Sequence, residues 1–270
     1  MTETFKYRAP VSRAELLALR ADHPGVRVLA GGTDLLIEIR NGFARPEMVV
    51  SLNRVVGFAD ISWSPTDGLS IGAASTLNEL LRNTAIREHF GLLVACAHDL
   101  ASYQIRNRAT VVGNVMNASP CSDMAPGLLC LSAYAVISST RGERIVPFTD
   151  FFTGVKRTVL QSDEVLERIV VPPESADARG SYRKLKRIKG HDLGIVGVAI
   201  MKKGGVVRLG ISSSAPTPLL VDGLTEDDPP DTVAAAARDA IHPISDVRCS
   251  AEYRAYMVGA FARKLSLEVA

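Results

Sequence analysis

Val28-Leu29-Ala30-Gly31-Gly32-Thr33-Asp34 and, much later, Ala109-Thr110-Val111-Val112-Gly113-Asn114-Val115-Met116-Asn117-Ala118-Ser119-Pro120 are the two segments that decide how this chain is read. A backbone that must approach a phosphate closely uses glycine to remove the Cβ obstruction and then supplies N–H groups as donors. Each segment is followed by helix-compatible sequence, and the first also follows an apolar run that reads as a strand. Two such loops suggest a clamp on one pyrophosphate. Neither is G-x-G-x-x-G or G-x-x-x-x-G-K-[ST], so the ordinary Rossmann and P-loop patterns are excluded. Taken alone, the first loop is equally an ordinary strand-to-helix turn whose glycines only satisfy positive φ.

Working outward, Phe5 to about Asn53 reads as strand, helix, strand, helix, strand. Ser12-Arg13-Ala14-Glu15 is a capping box opening a helix through Arg20, Val26 to Ala30 is an apolar strand, Leu35 to Arg40 is a short helix closed by Asn41-Gly42, and Met48 to Leu52 returns as a strand. From Asp60 to about Pro173, strands at Asp60 to Trp63 and Leu69 to Ile71 form a hairpin about Asp67-Gly68. Helices follow around Leu77 to Leu81, Leu92 to Tyr103 and Pro126 to Leu131, with strands at Ala135 to Ser139 and Val165 to Val171. Beyond Gly180 the texture becomes antiparallel: Tyr182 to Ile188, Ile195 to Lys202, a turn at Lys203-Gly204-Gly205, and Val206 to Ser212. Thr232 to Ala240 and Ala251 to Ser266 are helical.

With 270 residues, 47% hydrophobic and 22% charged, the chain can bury a sizeable core and is long enough for two domains. No apolar run approaches the roughly 18 residues of a membrane span, and Met1-Thr2-Glu3-Thr4-Phe5-Lys6 lacks the order of a signal peptide, so membrane insertion is not expected and the cytoplasm is. A net charge of +2 from 31 basic and 29 acidic residues argues against a nucleic-acid partner. Cys96, Cys121, Cys130 and Cys249 have no metal-binding spacing and read as reduced thiols.

Gln104-Ile105-Arg106-Asn107-Arg108-Ala109-Thr110, Gly113-Asn114, Asn117-Ala118-Ser119-Pro120, Asp123 and Pro126 form one block of a wider pattern. It resumes at Phe151-Phe152-Thr153-Gly154, His191-Asp192-Leu193, Ala215-Pro216-Thr217-Pro218 and Pro243-Ile244-Ser245-Asp246-Val247-Arg248. In this order the blocks resemble the flavoprotein subunit of the molybdenum hydroxylases, the family of xanthine dehydrogenase and aerobic carbon monoxide dehydrogenase. The resemblance implies an α+β chain: a para-cresol methylhydroxylase-type FAD-binding module of two lobes (1–57 and 58–175), then a small antiparallel-sheet-plus-helix C-terminal domain (176–270). It implies FAD on this chain. On partner subunits it implies a molybdopterin cofactor (large subunit) and two [2Fe-2S] clusters (small subunit). The cysteine-rich insert of the 4-hydroxybenzoyl-CoA reductases has no counterpart here.

The first loop of the expected cofactor site comprises Leu29, Ala30, Gly31, Gly32, Thr33, Asp34 and Leu35. Its glycines let the backbone lie against the pyrophosphate, and the N–H groups of Thr33, Asp34 and Leu35 serve as donors. Asp34 is expected to cap the helix with its side chain turned away from the diphosphate. By resemblance Leu100 and Ala101 line the flavin, Thr110, Gly113, Asn114 and Asn117 ring the diphosphate and ribose, and Asp123 binds ribose or ribityl hydroxyls unless it caps the next helix. Lys184 matches a lysine that reaches toward the flavin, or is a strand lysine covering apolar surface. Asp192 matches a segment bordering the ring. Val112 departs from the family's Thr-x-Gly-Gly-Asn. Either its backbone is extended with the side chain facing the protein, or the site is loosened.

No paired nucleophile and base is legible. The function implied is an oxidoreductase subunit, FAD-dependent and devoted to electron transfer from [2Fe-2S] clusters to an external acceptor. A stand-alone flavoprotein acting on a small molecule, or a relic with a degenerate site, are the alternatives.

Overall fold

A computed structural model describes residues 5–269; Met1 to Thr4, part of the stretch read as lacking a leader, lie outside the described residues. The chain opens with β1 (Lys6–Arg8), α1 (Arg13–Asp22), β2 (Arg27–Leu29), α2 (Leu35–Arg40) and β3 (Met48–Ser51), the expected alternation. Strand β3 lies between β1 and β2, parallel to both, and is buried along its whole length, as a central parallel strand must be. Ser12 Oγ accepts the Glu15 N–H at 3.2 Å, but the Glu15 carboxylate accepts from Val11 N at 2.9 Å rather than from Ser12. The expected capping box therefore closes one residue early. Helix α2 ends at Asn41-Gly42 as read, with Gly42 at φ 75°.

The second region begins with the hairpin β4 (Ile61–Ser64) and β5 (Gly68–Gly72), followed by α3 (Leu77–Arg82), α4 (Thr84–His89), α5 (Gly91–Asp99), α6 (Tyr103–Arg106), α7 (Val111–Met116) and α8 (Met124–Cys130). The single helix expected over Leu92 to Tyr103 is broken at Leu100 to Ser102, where Ala101 takes φ 50° and Ser102 caps a new turn by accepting from Ile105 N. Strands β6 (Tyr134–Ser139) and β7 (Gly142–Pro147), a short helix α9 (Phe148–Phe151), the small pair β8 (Phe152–Gly154) and β9 (Arg157–Thr158), and β10 (Val165–Val171) complete it. The main sheet has order β4-β5-β10-β6-β7 and is antiparallel. Edge strand β7 escapes sequence reading because Gly142-Glu143-Arg144 presents mostly charge.

The last region is a meander of β11 (Arg179–Leu185), β12 (Val196–Lys203), β13 (Val206–Ser212) and β14 (Leu219–Thr225) with helices α10 (Pro230–Asp239) and α11 (Ala251–Glu268). Gly204 and Gly205 both carry positive φ in the β12–β13 turn. Strand β12 shows why its sequence stays apolar from Val196 to Met201 before ending in Lys202-Lys203. Val198 and Ile200 belong to a core closed by Val233, Ala237, Val258, Ala262 and Leu265 of α10 and α11, whereas Ala199 and Met201 point the other way into the large core. Successive strand residues face opposite sides, so one strand closes two cores. Among the described residues no helix is long and apolar enough to cross a membrane.

Contact between α8 and this sheet is close enough to require glycine. A Cβ built on Gly210 of β13 would lie 2.1 Å from Pro126 O, a backbone atom with nowhere to go. Gly210→Ala is expected to destabilise the chain by about 1–3 kcal/mol through overpacking. Gly25→Ala, where nothing lies within 4 Å, is the neutral control. Urea unfolding midpoints of the two variants check this.

Candidate functional site

The two glycine segments meet. A Cβ built on Gly31 would lie 1.9 Å from Arg108 O and 2.9 Å from Ala109 Cα, so the first loop runs against the backbone that enters the second. Gly31 is thus used for contact between the loops. Gly32 is used for conformation, at φ 77°, and a Cβ there would also meet the Leu29 and Leu36 side chains at 3.0 and 2.9 Å. The second segment is pinned from behind, because Leu77 N donates to Ala109 O at 2.9 Å and Val111 N to Ser75 O at 3.3 Å.

Among the described residues, the N–H groups of Gly32, Thr33, Asp34 and Leu35 donate to no protein acceptor; the α2 ladder starts at Leu36 N to Gly32 O, 3.2 Å. The amides of Ser119 and Asp123 in the second loop are likewise without one. Ala30 and Leu29 lead into this turn half-buried, and Leu35 is buried beneath it. Asp34 does not cap α2 as expected. Its carboxylate reaches across to accept from Asn117 Nδ2 at 3.0 Å, a second tie between the loops, and Lys156 Nζ donates to Asn117 Oδ1.

Part of the second segment is helix rather than loop. Thr110 caps α7, its Oγ1 accepting from Gly113 N at 2.9 Å, and a Cβ on Gly113 would press on that hydroxyl at 2.8 Å. Val112, expected to be extended, is therefore helical, while its side chain does face the protein and is buried. Positive φ is not needed to seat it. Asn114 Oδ1 accepts from Ser122 Oγ at 2.7 Å and Met124 N at 3.3 Å, fixing the turn that leads to Asp123.

Asp123 occupies the N-cap position of α8 but makes no capping bond. It accepts instead from Tyr182 Oη at 2.9 Å and Lys184 Nζ at 2.8 Å, both on β11, in a junction where the Lys184 side chain is 3% exposed. Burial pushes the Asp123 carboxyl above the ordinary range, opposed by Lys184 and Tyr182, and pushes the Tyr182 phenol well up. Lys184 Nζ also reaches Asp99 O at 3.5 Å, next to Leu100 and Ala101. Lys184 is therefore more than a stem covering apolar surface.

Arg106 is the organising residue that sequence reading left without a role. Buried, it donates through Nη1 to the carbonyls of His98, Leu100 and Ala101 at 3.0, 2.9 and 3.2 Å, and so holds the left-handed Ala101 in place. Its signal was the first of two arginines in the Gln104-Ile105-Arg106-Asn107-Arg108 block. Among the described residues, the Asp192 carboxylate bonds to neither loop. It is engaged by Arg187 through N, Nε and Nη2 at 3.2, 3.2 and 3.0 Å, and that arginine draws its pKa down to about 2.

The arrangement consists of two backbone turns with free donors among the described residues and a buried charged junction alongside. The profile of the family described as FAD binding domain in molybdopterin dehydrogenase matches residues 3–174, and this chain belongs to that family. It is 31% identical to the carbon monoxide dehydrogenase medium chain of Hydrogenophaga pseudoflava over 96% of this chain and 95% of that one. It is 29% identical to the xanthine dehydrogenase FAD-binding subunit of Escherichia coli O157:H7 over 99% and 97%. In structure it matches carbon monoxide dehydrogenase from H. pseudoflava with TM-score 0.91 at 30% identity, covering 100% of this chain and 98% of that one. Quinoline 2-oxidoreductase from Pseudomonas putida 86 gives TM-score 0.90 at 26% identity, with the same coverage. The chain is an FAD-binding subunit of a molybdenum hydroxylase-type dehydrogenase, with the mixed helix and sheet fold of its relatives.

The residues fit the cofactor: the unengaged amides are what a diphosphate requires. Gly31→Ala is expected to part the loops and weaken FAD binding about tenfold or more, read by titrating apo protein with FAD. Val112→Gly is expected to cost about 3 kcal/mol, roughly 1 from glycine in a helix and roughly 2 from the lost buried side chain, without tightening FAD binding. Because the Asp192 pKa is lowered from 3.8 to about 2, its bond to Arg187 stabilises the fold above the ordinary value and is lost as pH falls through the folded one. A carboxyl NMR titration is expected to show Asp192 still ionised at pH 3, and Arg187→Gln to raise its midpoint toward the ordinary value, with the backbone N–H bonds from Arg187 and Leu193 still holding it down.

Proposed function

We propose that this chain is the electron-transfer subunit of its dehydrogenase. It takes electrons from [2Fe-2S] clusters on a small partner and passes them to an external acceptor, while a large subunit with the molybdenum cofactor works on the substrate. The observation that carries this reading is the paired turn, Gly31 against Arg108 and Asp34 against Asn117, beside a buried lysine and carboxylate. Near full-length similarity to proteins named FAD-binding subunit and medium chain supports its place in a larger assembly. Unpaired thiols at Cys96, Cys121, Cys130 and Cys249 fit a cytoplasmic location.

Bound at this site, FAD supplies the redox chemistry. The amides of Gly32 to Leu35, with those of Ser119 and Asp123, would bind the diphosphate, and Thr33, Thr110, Gly113, Asn114 and Asn117 shape the two turns. A carboxylate offers about four acceptor sites, so Asp123 keeps capacity for a ribose or ribityl hydroxyl after serving Tyr182 and Lys184. Lys184 would place a positive charge near the ring, favouring the state with added electrons and raising the potential. Leu100 and Ala101, held by Arg106, would close the ring's flank against water. Asp192 would border the ring only through its backbone, since its carboxylate is held by Arg187. The proposed units remain 1–57, 58–175 and 176–270.

Stopped-flow absorbance tests the role. In the co-expressed complex with its iron–sulfur and molybdenum subunits, the flavin bands are expected to bleach when the substrate of the complex is added. The isolated chain is expected not to respond to that substrate. Comparable bleaching by the isolated chain would overturn the proposal in favour of a stand-alone flavoprotein.

A further inference from the structure

The Pro243-Ile244-Ser245-Asp246-Val247-Arg248 block lies far beyond residue 174, where the matched FAD-binding profile ends, yet it touches the second loop of the site. Arg248 uses every edge of its guanidinium. Nε and Nη2 donate to Asp246 Oδ2 at 3.0 and 2.6 Å, while Nη1 donates to Cys121 Sγ at 3.2 Å and Gly194 O at 3.1 Å. Asp246 is shared: its Oδ1 accepts from Arg248 N at 2.8 Å and pairs with Arg254 Nη2 at 3.2 Å.

Arg254, on α11, is 1% exposed, and Nη1 donates to Ile195 O and to Ser213 O, the latter at 2.9 Å. Ser213 in turn, held at φ 65°, donates its N–H to Pro120 O at 2.7 Å. The Pro120-Cys121 turn is therefore gripped twice from the C-terminal domain, once at a carbonyl and once at a thiol. It lies two residues before Asp123, whose carboxylate meets Lys184. Burying a cation such as Arg254 is costly unless it is paired and hydrogen-bonded, so an arrangement that serves three carbonyls and a thiol from one carboxylate is more than surface pairing. Arg248 holds the Asp246 carboxyl well below the ordinary range, so the ion pair persists throughout the neutral and mildly acidic range.

We propose that Asp246, Arg248 and Arg254 form a clasp by which the C-terminal domain fixes the Pro120-Cys121 turn, making Arg248 a positioning residue for the FAD site. The proposal rests on the FAD-binding reading above. It also makes the C-terminal domain part of the cofactor site rather than an appendage to it. Arg248 serves a carboxylate, a thiol and a carbonyl from one planar guanidinium, which a lysine cannot reproduce with a single ammonium.

The test titrates the full-length apo chain with FAD by fluorescence quenching. It compares wild type with Arg248→Gln, Arg248→Lys, Cys121→Ala and the Arg248→Gln/Cys121→Ala pair, and records visible circular dichroism of the bound flavin and the urea midpoint. Both Arg248 variants are expected to bind FAD about tenfold more weakly, and Cys121→Ala about threefold, with the pair no worse than Arg248→Gln alone because the contact is shared. The flavin circular dichroism is expected to change in each. Wild-type affinity in Arg248→Lys would show that charge alone suffices and would overturn the clasp, as would weaker binding that merely tracks the urea midpoint with an unchanged flavin spectrum. Should the Arg248 variants not fold, Cys121→Ala decides, and unchanged affinity and spectrum there overturn the clasp. Wild type binding FAD while all variants match it sinks the clasp alone; a wild type that binds no FAD sinks the FAD reading and the clasp with it.

Discussion

The site depends on a backbone contact that tolerates no side chain. Gly31 lies so close to Arg108 that even a methyl group would sit 1.9 Å from its carbonyl oxygen. That approach brings the turn after β2 against the turn before α7, although each belongs to a different sheet region. Packed backbones do not deform continuously, so one glycine fixes the spacing of the whole cradle. The Asp34 to Asn117 hydrogen bond then sets the register of the two turns, and the free amides of Gly32 to Leu35 remain beside it.

Around that contact the structure is assembled by strands and helices with two working faces. Strand β12 sends Ala199 and Met201 into the large core and Val198 and Ile200 into the small one, so the C-terminal meander cannot swing away without opening both. Gly210 against Pro126 brings β13 onto α8, and Asp123 at the start of α8 then finds Tyr182 and Lys184 waiting on β11. A buried carboxylate needs such partners, and here they come from a different region of the fold from the helix it precedes. Two carbonyl-gripping arginines, Arg106 and Arg254, do the same for loops that lack regular ladders, holding Ala101 and Ser213 in left-handed backbone.

Elements with a strong period were legible in the sequence: the first five elements, the β4–β5 hairpin, β10, the β12–β13 hairpin and α11 fall within a few residues of their expected places. What escaped was set by tertiary contact. Helix α7 was read as loop because Gly113 and Asn114 are poor helix formers, and only the Thr110 cap and the burial of Val111, Val112 and Val115 make it a helix. The break at Ala101 exists because Arg106 pays for it with three bonds, which no local pattern reveals. Strand β14, Leu219–Thr225, carries no clean alternation, and its pairing with β13 is interrupted between Val207 and Leu209. For the candidate site, the sequence pointed to two loops that the structure brings together, but not to the partners of their side chains. Asp34 pairs across the cradle instead of capping, Asp192 is held by Arg187, and the role of Gly31 is contact with protein backbone. Side-chain direction and backbone proximity between segments so far apart are products of the fold, outside the reach of local propensity.

Amide hydrogen exchange read by NMR, with and without FAD, addresses the central claim that two turns make one diphosphate cradle. The account predicts that the N–H groups of Gly32 to Leu35 and those of Ser119 and Asp123 become protected together, saturating at the same FAD concentration, while the amides of exposed Gly204 and Gly205 stay unchanged. Protection of only one turn, or of neither at a concentration where the flavin is fully bound, would contradict it.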